Sequence, residues 1–382
     1  MKALRHLGLI VFALFTTLTL VITAAIPNMA LASNAHSGKA PFQPIGTPFG
    51  KFHRHNLQTP FTVSPLQLSR AKHEPNMLDL GTLPGGSMAE VYGINSNDQI
   101  VGSSNTTNGD WHSFLWTKED GMQDLGTLGG SFGIAYDIND KGQVVGTSYI
   151  IGTLETHAFL WNRQDGMQDL GTLQAGNYSA AFAINKDGAV VGGSYLDDGH
   201  EHAFLWTRKS GLRDLGTLGG SYSVAYDINN DGQIVGETDS QGVGLGIHAV
   251  LWTKEGGMQD LGTLGCCDSV ANAINNDGQV AGATYTANGD WHAFLWTKKD
   301  GMQDLGTLGG SYSVANDVND KGQVVGISTI ANGDWHAFIW TKKDGMQDLG
   351  VQGSYSNIAY AINQRGHIVV TYNERALLWK PK

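Results

Sequence analysis

The side chains in this chain that are able to do chemistry recur at fixed intervals. Histidines stand at His112, His157, His202, His248, His292 and His336, in segments that read HAFLW or a close variant. Imidazoles can ligate metals or carry protons. A shared metal would require several of them within roughly 2 Å of one ion. A second group lies in the turn DINNDG (Asp227–Gly232). It sets Asp227, Asn229 and Asp231 at the first, third and fifth places of a calcium-type loop, with glycine sixth. The other copies of this turn dilute the pattern. Lys141 and Lys321 take the fifth place, Gly93, Ala183, Ala273 and Ala361 the first, and Val235 stands where a ninth ligand would be. What persists is asparagine: Asn95, Asn139, Asn185, Asn229, Asn275, Asn319 and Asn363, usually with glycine three residues on. That is hairpin chemistry, because both residues tolerate positive φ.

Two further groups are rarer. Asn-Gly-Asp precedes a tryptophan three times, giving the pairs Asp110-Trp111, Asp290-Trp291 and Asp334-Trp335. A tryptophan beside an aspartate can stack on a sugar ring and bond its hydroxyls. The same ring can instead fold over a sheet edge, since it shares a face with Leu115, Leu295 or Ile339, and tryptophan is usually largely buried. Cys266 and Cys267 are the only cysteines and are adjacent. They form a disulfide between neighbours or stay reduced. No fixed base stands by them, so a nucleophile is not expected.

The elements that carry these groups follow from a repeat. Asp-Leu-Gly begins at Asp79, Asp124, Asp169, Asp214, Asp260, Asp304 and Asp348, at spacings of 44 to 46 residues. The tryptophan closing each FLW-type segment falls at Trp116, Trp161, Trp206, Trp252, Trp296, Trp340 and Trp379. Each copy holds four short strands; in the fourth they are SVAYDIN (Ser223–Asn229), GQIVGET (Gly232–Thr238), HAVLWT (His248–Thr253) and GMQDLGT (Gly257–Thr263). Tight turns join the first pair and the last pair. A longer, variable stretch separates the second from the third. Four strands in about 45 residues is the size of a propeller blade. A lone MLDLGT (Met77–Thr82) precedes the first copy, and the last copy lacks its fourth strand. The expectation is therefore an all-β, seven-bladed β-propeller over 77–382, its ring closed by three strands from the C-terminus and one from the N-terminus. Closure hides sheet edges that an open stack exposes.

The blocks HAFLW (His157–Trp161, His202–Trp206, His292–Trp296), DLGTLGG and the AIN–GQVVG hairpins resemble the HAF-type extracellular repeat family of bacterial proteins. The resemblance runs from Met77 to Trp379 and departs at His112-Ser113-Phe114, His248-Ala249-Val250 and Arg375-Ala376-Leu377. It implies secretion and a repeat architecture, and brings no enzymatic activity.

Composition and termini agree with that setting. Gly numbers 52 of 382 residues and charged residues are only 15%, as turn-rich β proteins need. Lys2 and Arg5 precede an apolar run from Leu7 to Ile26, and Ala30-Leu31-Ala32 offers a signal-peptidase site, so residues 1–32 read as a signal peptide. Residues 33–76 hold six prolines and the bases Lys39, Lys51, Arg54, Arg70 and Lys72, and read as a linker. The net charge is −11, and losing Lys2 and Arg5 makes it about −13, which argues against nucleic acid as a partner. With no membrane span left after cleavage, the expected product is an extracytoplasmic monomer needing no cofactor. Its function is to present a binding surface to a protein or glycan, since binding residues favour loops on a rigid scaffold. A propeller hydrolase or lyase, with its site in the channel or loops, is the alternative.

Overall fold

The computed structural model describes residues 76–153, 155–240, 246–349 and 357–381. The expected signal peptide, and the linker apart from Asn76, lie outside the described residues. All regular structure among the described residues is β. A three-residue strand, β1 (Met77–Asp79), comes first. Then β2 (Ala89–Ile94), β3 (Ile100–Asn105), β4 (Trp111–Thr117) and β5 (Gly121–Gly126) form one antiparallel unit. The unit recurs as β6 (Gly129–Ile138) to β9 (Gly166–Gly171), β10 (Ser179–Ile184) to β13 (Gly211–Asp214), β14 (Gly219–Ile228) to β17 (Gly257–Asp260), β18 (Gly265–Ile274) to β21 (Gly301–Asp304), and β22 (Gly309–Val318) to β25 (Gly345–Asp348). The chain ends with β26 (Asn357–Ile362), β27 (Ile368–Tyr372) and β28 (Arg375–Trp379), and β1 pairs antiparallel with β28, Leu78 opposite Leu378.

One pair of residues explains why each unit packs so tightly. The phenylalanines of the third strands, such as Phe114, Phe159 and Phe204, are fully buried. Each lies across a glycine of the second strand: Gly102 faces Phe114, and Gly146 faces Phe159. A Cβ on Gly102 would sit 1.9 Å from the Glu90 carbonyl and 2.9 Å from the Phe114 ring. Glycine is required there by close approach. The last copy changes both members together, to Val370 opposite Leu377.

The first strands were expected to begin at the SVAYDIN-type segment. In four copies they begin earlier; β14 starts at Gly219, which pairs with Ser240, so the GGSYS crossing is itself mostly strand. The first and third copies carry one more residue between Asp-Leu-Gly and asparagine. There the chain turns instead, and β2 and β10 start at Ala89 and Ser179.

Two series of side chains join the copies. Each hairpin asparagine donates its Nδ2 to the main-chain carbonyl of the next: Asn95 to Asn139, Asn139 to Asn185, and onward through Asn229, Asn275 and Asn319 to Asn363, at 3.0–3.3 Å. Asn363 returns the bond to the Asn95 carbonyl at 3.1 Å. Its own Oδ1 atoms tie each turn, as Asn229 does by accepting from the Asp231 and Gln233 amides. Above this series, aromatic rings of the first strands touch in sequence: Tyr360–Tyr92, Tyr92–Tyr136, Tyr136–Phe182 and Phe182–Tyr226, with centroids 5.1–5.7 Å apart. Asn272 and Asn316 take the matching places in the next two copies and donate to the Ala315 and Ala359 carbonyls at 2.9 Å.

Candidate binding face

Antiparallel alternation sends the tight hairpins to one end of the sheets. The second-to-third-strand loops and the crossings go to the other end. The hairpin end has a cavity of about 190 Å³ lined by six of the seven asparagines, all but Asn319. Their amides are already engaged with one another, so they offer little to a ligand. The loop end differs in charge. Among the described residues no lysine falls in any loop or crossing there, whereas Asp110, Asp198, Asp239, Asp268, Asp290 and Asp334 all do. Arg375 is held by Asp79.

The three loop tryptophans open third strands at this end. Trp291 is buried (5% exposed) and meets Tyr285 edge to face at 4.6 Å. Trp335 is partly exposed and meets Tyr312 in the same way at 4.7 Å. Trp111 is partly exposed and bridges to Phe132 on the next unit. The neighbouring aspartates close the loops through their carbonyls: Asp110 accepts from the Thr106 amide and Asp290 from the Thr286 amide, both at 2.8 Å, and Asp334 from the Ile330 amide at 2.9 Å. Their partly exposed carboxylates are left at the surface.

A pair of acids lies between the third and fourth copies. Glu201 opens β12 (Glu201–Thr207), where three other copies have tryptophan. It folds over Gly193, and a Cβ on that glycine would stand 2.6 Å from Glu201 Oε1. Glu237, on β15 (Ile234–Ser240), is 1% exposed and accepts hydrogen bonds from the Tyr222 and Tyr226 hydroxyls at 2.7 and 2.8 Å. Burial, and then the Glu237 carboxylate, push the Glu201 carboxyl up to about 8. Burial and Glu237 likewise hold the Tyr222 and Tyr226 hydroxyls well above their ordinary range. A neutral carboxylic acid beside an acceptor-rich carboxylate can donate and accept together, which suits a polyhydroxyl ligand or proton transfer. The signal was available in the alignment of copies. The Glu237 position is Ser103, Thr147, Gly193, Ala283, Ile327 or Thr371 elsewhere.

The other chemistry-bearing residues are engaged within the sheets. All six histidines bond through Nδ1 to the aspartate of the adjoining fourth strand, from His112–Asp124 to His336–Asp348, at 2.7–3.0 Å. Arg375 and Asp79 occupy the matching places on β28 and β1. Asp227 accepts from the Ile228 amide and, across to the next copy, from the Ile274 amide, both at 2.8 Å. Asn229 belongs to the amide series, which leaves Asp231 exposed on the turn. No group of three or more metal-ligating side chains occurs among the described residues. Cys266 and Cys267 are exposed, with their Sγ atoms 2.6 Å apart.

No family model and no curated protein matches the chain. Solved structures do. The oligogalacturonate lyase of Vibrio parahaemolyticus superposes with a TM-score of 0.57 at 13% identity, over 80% of this chain and 94% of that one. The β-propeller domain of the Trilobed protease from Pyrococcus furiosus, described as having an open velcro topology, gives 0.55 at 9% identity, over 78% and 97%. The fold is a β-propeller. TolB from Acinetobacter baumannii is more distant, at 0.43 and 11% identity; the match covers 74% of this chain and 64% of TolB, so the chain spans less than two thirds of that protein's length. At these identities the likeness concerns fold alone. No helix among the described residues is long and apolar enough to cross a membrane.

Proposed function

We propose that this propeller is a seven-bladed, extracytoplasmic binding scaffold of the HAF-type repeat family whose loop end takes a protein or glycan. The pairing of β1 with β28 supports closure by strand sharing, and the return of the amide series from Asn363 to Asn95 supports seven copies in a ring. The N-terminal apolar run and the HAFLW blocks support secretion and the family reading. The monomeric state rests on outer sheet edges that are short, three to six residues from β1 to β25.

The observation that carries the binding role is the contrast between the ends. The seven asparagines at the hairpin end are engaged with one another. The loop end carries the partly exposed Trp111 and Trp335, surface carboxylates, and Glu201 at the head of β12, beside the buried Glu237–tyrosine cluster. Aromatic faces and paired carboxyls are what sugar rings and hydroxyls bind. A glycan and protein-partner screen on the mature protein tests this. Hits are expected to disappear in a Trp111→Ala/Trp335→Ala/Glu201→Gln variant, and hits that survive would remove the loop end from the binding role. The enzymatic alternative is favoured by one observation, the neutral Glu201 beside Glu237, which has the form of an acid–base pair. Turnover of a bound glycan that is lost in Glu237→Gln would select it.

A further inference from the structure

Cys266 and Cys267 stand at the start of β18, where β6, β14 and β22 carry Gly130-Ser131, Gly220-Ser221 and Gly310-Ser311. In those three copies the chain turns through positive φ at the preceding glycine: Gly129 at 96°, Gly219 at 96° and Gly309 at 107°. Gly265 holds the matching place in the fifth copy. There the positive φ falls two residues later, on Cys267, at 66°. A residue with a Cβ resists that region, so a free glycine is passed over and a cysteine is bent instead. The bend brings the two sulfurs to 2.6 Å, closer than unbonded sulfurs rest.

The same crossing lacks a clamp found in other copies. In the fourth, Asp239 accepts from the Ser221 and Tyr222 amides at 2.9 and 2.8 Å. In the first, Asn105 accepts from the Ser87 and Met88 amides at 2.8 and 2.9 Å. The fifth copy has Tyr285 at that position, as the second has Tyr149, and Tyr285 turns to Trp291. The second copy keeps its glycine bend and has no thiols.

We infer that Cys266 and Cys267 close on each other as a vicinal disulfide, a covalent clasp at the loop end where the side-chain clamp is missing. The oxidant is a second disulfide, for which oxidised glutathione is the probe. One cysteine thiolate attacks a glutathione sulfur and expels a glutathione thiolate. The second cysteine thiolate then attacks the protein sulfur of that mixed disulfide and expels the other. Two cysteine thiols are oxidised, one glutathione disulfide is reduced, and the two cysteine protons pass to the released glutathione thiolates. The Cys267 thiol is pushed up, first by its contact with Cys266 and also by the Asp268 carboxylate, so exchange quickens as pH rises.

The test is intact mass. The mature protein is incubated with oxidised glutathione in mildly alkaline buffer, quenched with iodoacetamide and weighed. The expected result is no alkyl group and no glutathione adduct, and two alkyl groups after reduction. Two alkyl groups without reduction, or a lasting glutathione adduct, would overturn the inference. The variant Cys267→Ser cannot close and is expected to keep one glutathione. A variant thiol that takes none would also overturn the inference, because the exchange route would then be shut.

Discussion

The two ends of the sheets treat the same repeat in opposite ways. At the hairpin end, asparagine holds one position in all seven copies, is 1–6% exposed every time, and makes the same bond to its neighbour. At the loop end, the residue before the third-strand histidine, or before Arg375, is Trp111, Thr156, Glu201, Ile247, Trp291, Trp335 or Glu374. Buried donors and acceptors at the first end must all find partners, and one geometry satisfies them. The second end faces water, where several chemistries are tolerated. Uniformity therefore marks the part that holds the copies together, and variation marks the part open to selection for a ligand.

The largest effect tests what holds the copies together. Deleting Met77–Thr82 removes β1, uncovers the edge of β28 and strips Arg375 of Asp79. The loss is expected to be about 4 kcal/mol or more, lowering the melting temperature by roughly 10 °C; an unchanged melt would break the closure reading. A smaller effect compares the ends directly. Asn229→Ala removes two accepted amide bonds and the link to the Asn275 carbonyl, and should cost about 2–4 kcal/mol in urea unfolding. Glu201→Gln at pH 6 should cost less than about 1 kcal/mol, since the native carboxyl is already neutral there. Equal losses would erase the distinction. A further effect concerns pH. The Glu201 carboxyl is raised from an ordinary value of 4.5 to about 8 in the fold. The native state thus holds a proton that the unfolded chain releases, and stability falls as pH rises from 4.5 to 8. Melting curves across that window should show the decline in the native chain and a shallower one in Glu201→Gln.

Much of the fold was legible because its markers are local. Asp-Leu-Gly, the FLW tryptophan and the Asn–Gly turn each report a strand end or a hairpin within a few residues. The strand starts were misjudged because Gly219-Gly220-Ser221 reads as a turn, and only its pairing with β15 draws it into the sheet. Asn229 was read as a turn residue, which is half of its role; its bond to a carbonyl 46 residues away has no local trace. The histidine–aspartate pairs follow from strand order, since a partly buried ring needs a partner and the adjoining fourth strand supplies one. Glu201 escaped because its neighbours in the repeat are tryptophan, threonine and isoleucine, and its effect depends on Glu237 in another copy.

The asparagine series has a bearing on how such a chain grows. Every copy offers one donor forward and one acceptor backward, of the same type and in the same sense. A duplicated copy inserted anywhere would meet a matching acceptor on one side and a matching donor on the other, and no amide would be orphaned. Chemistry thus sets no preferred number of copies; the wedge angle of each sheet must do so. In the closed ring proposed above, a gene could lengthen or shorten by whole units, with the fit around the circle as the main filter on the result.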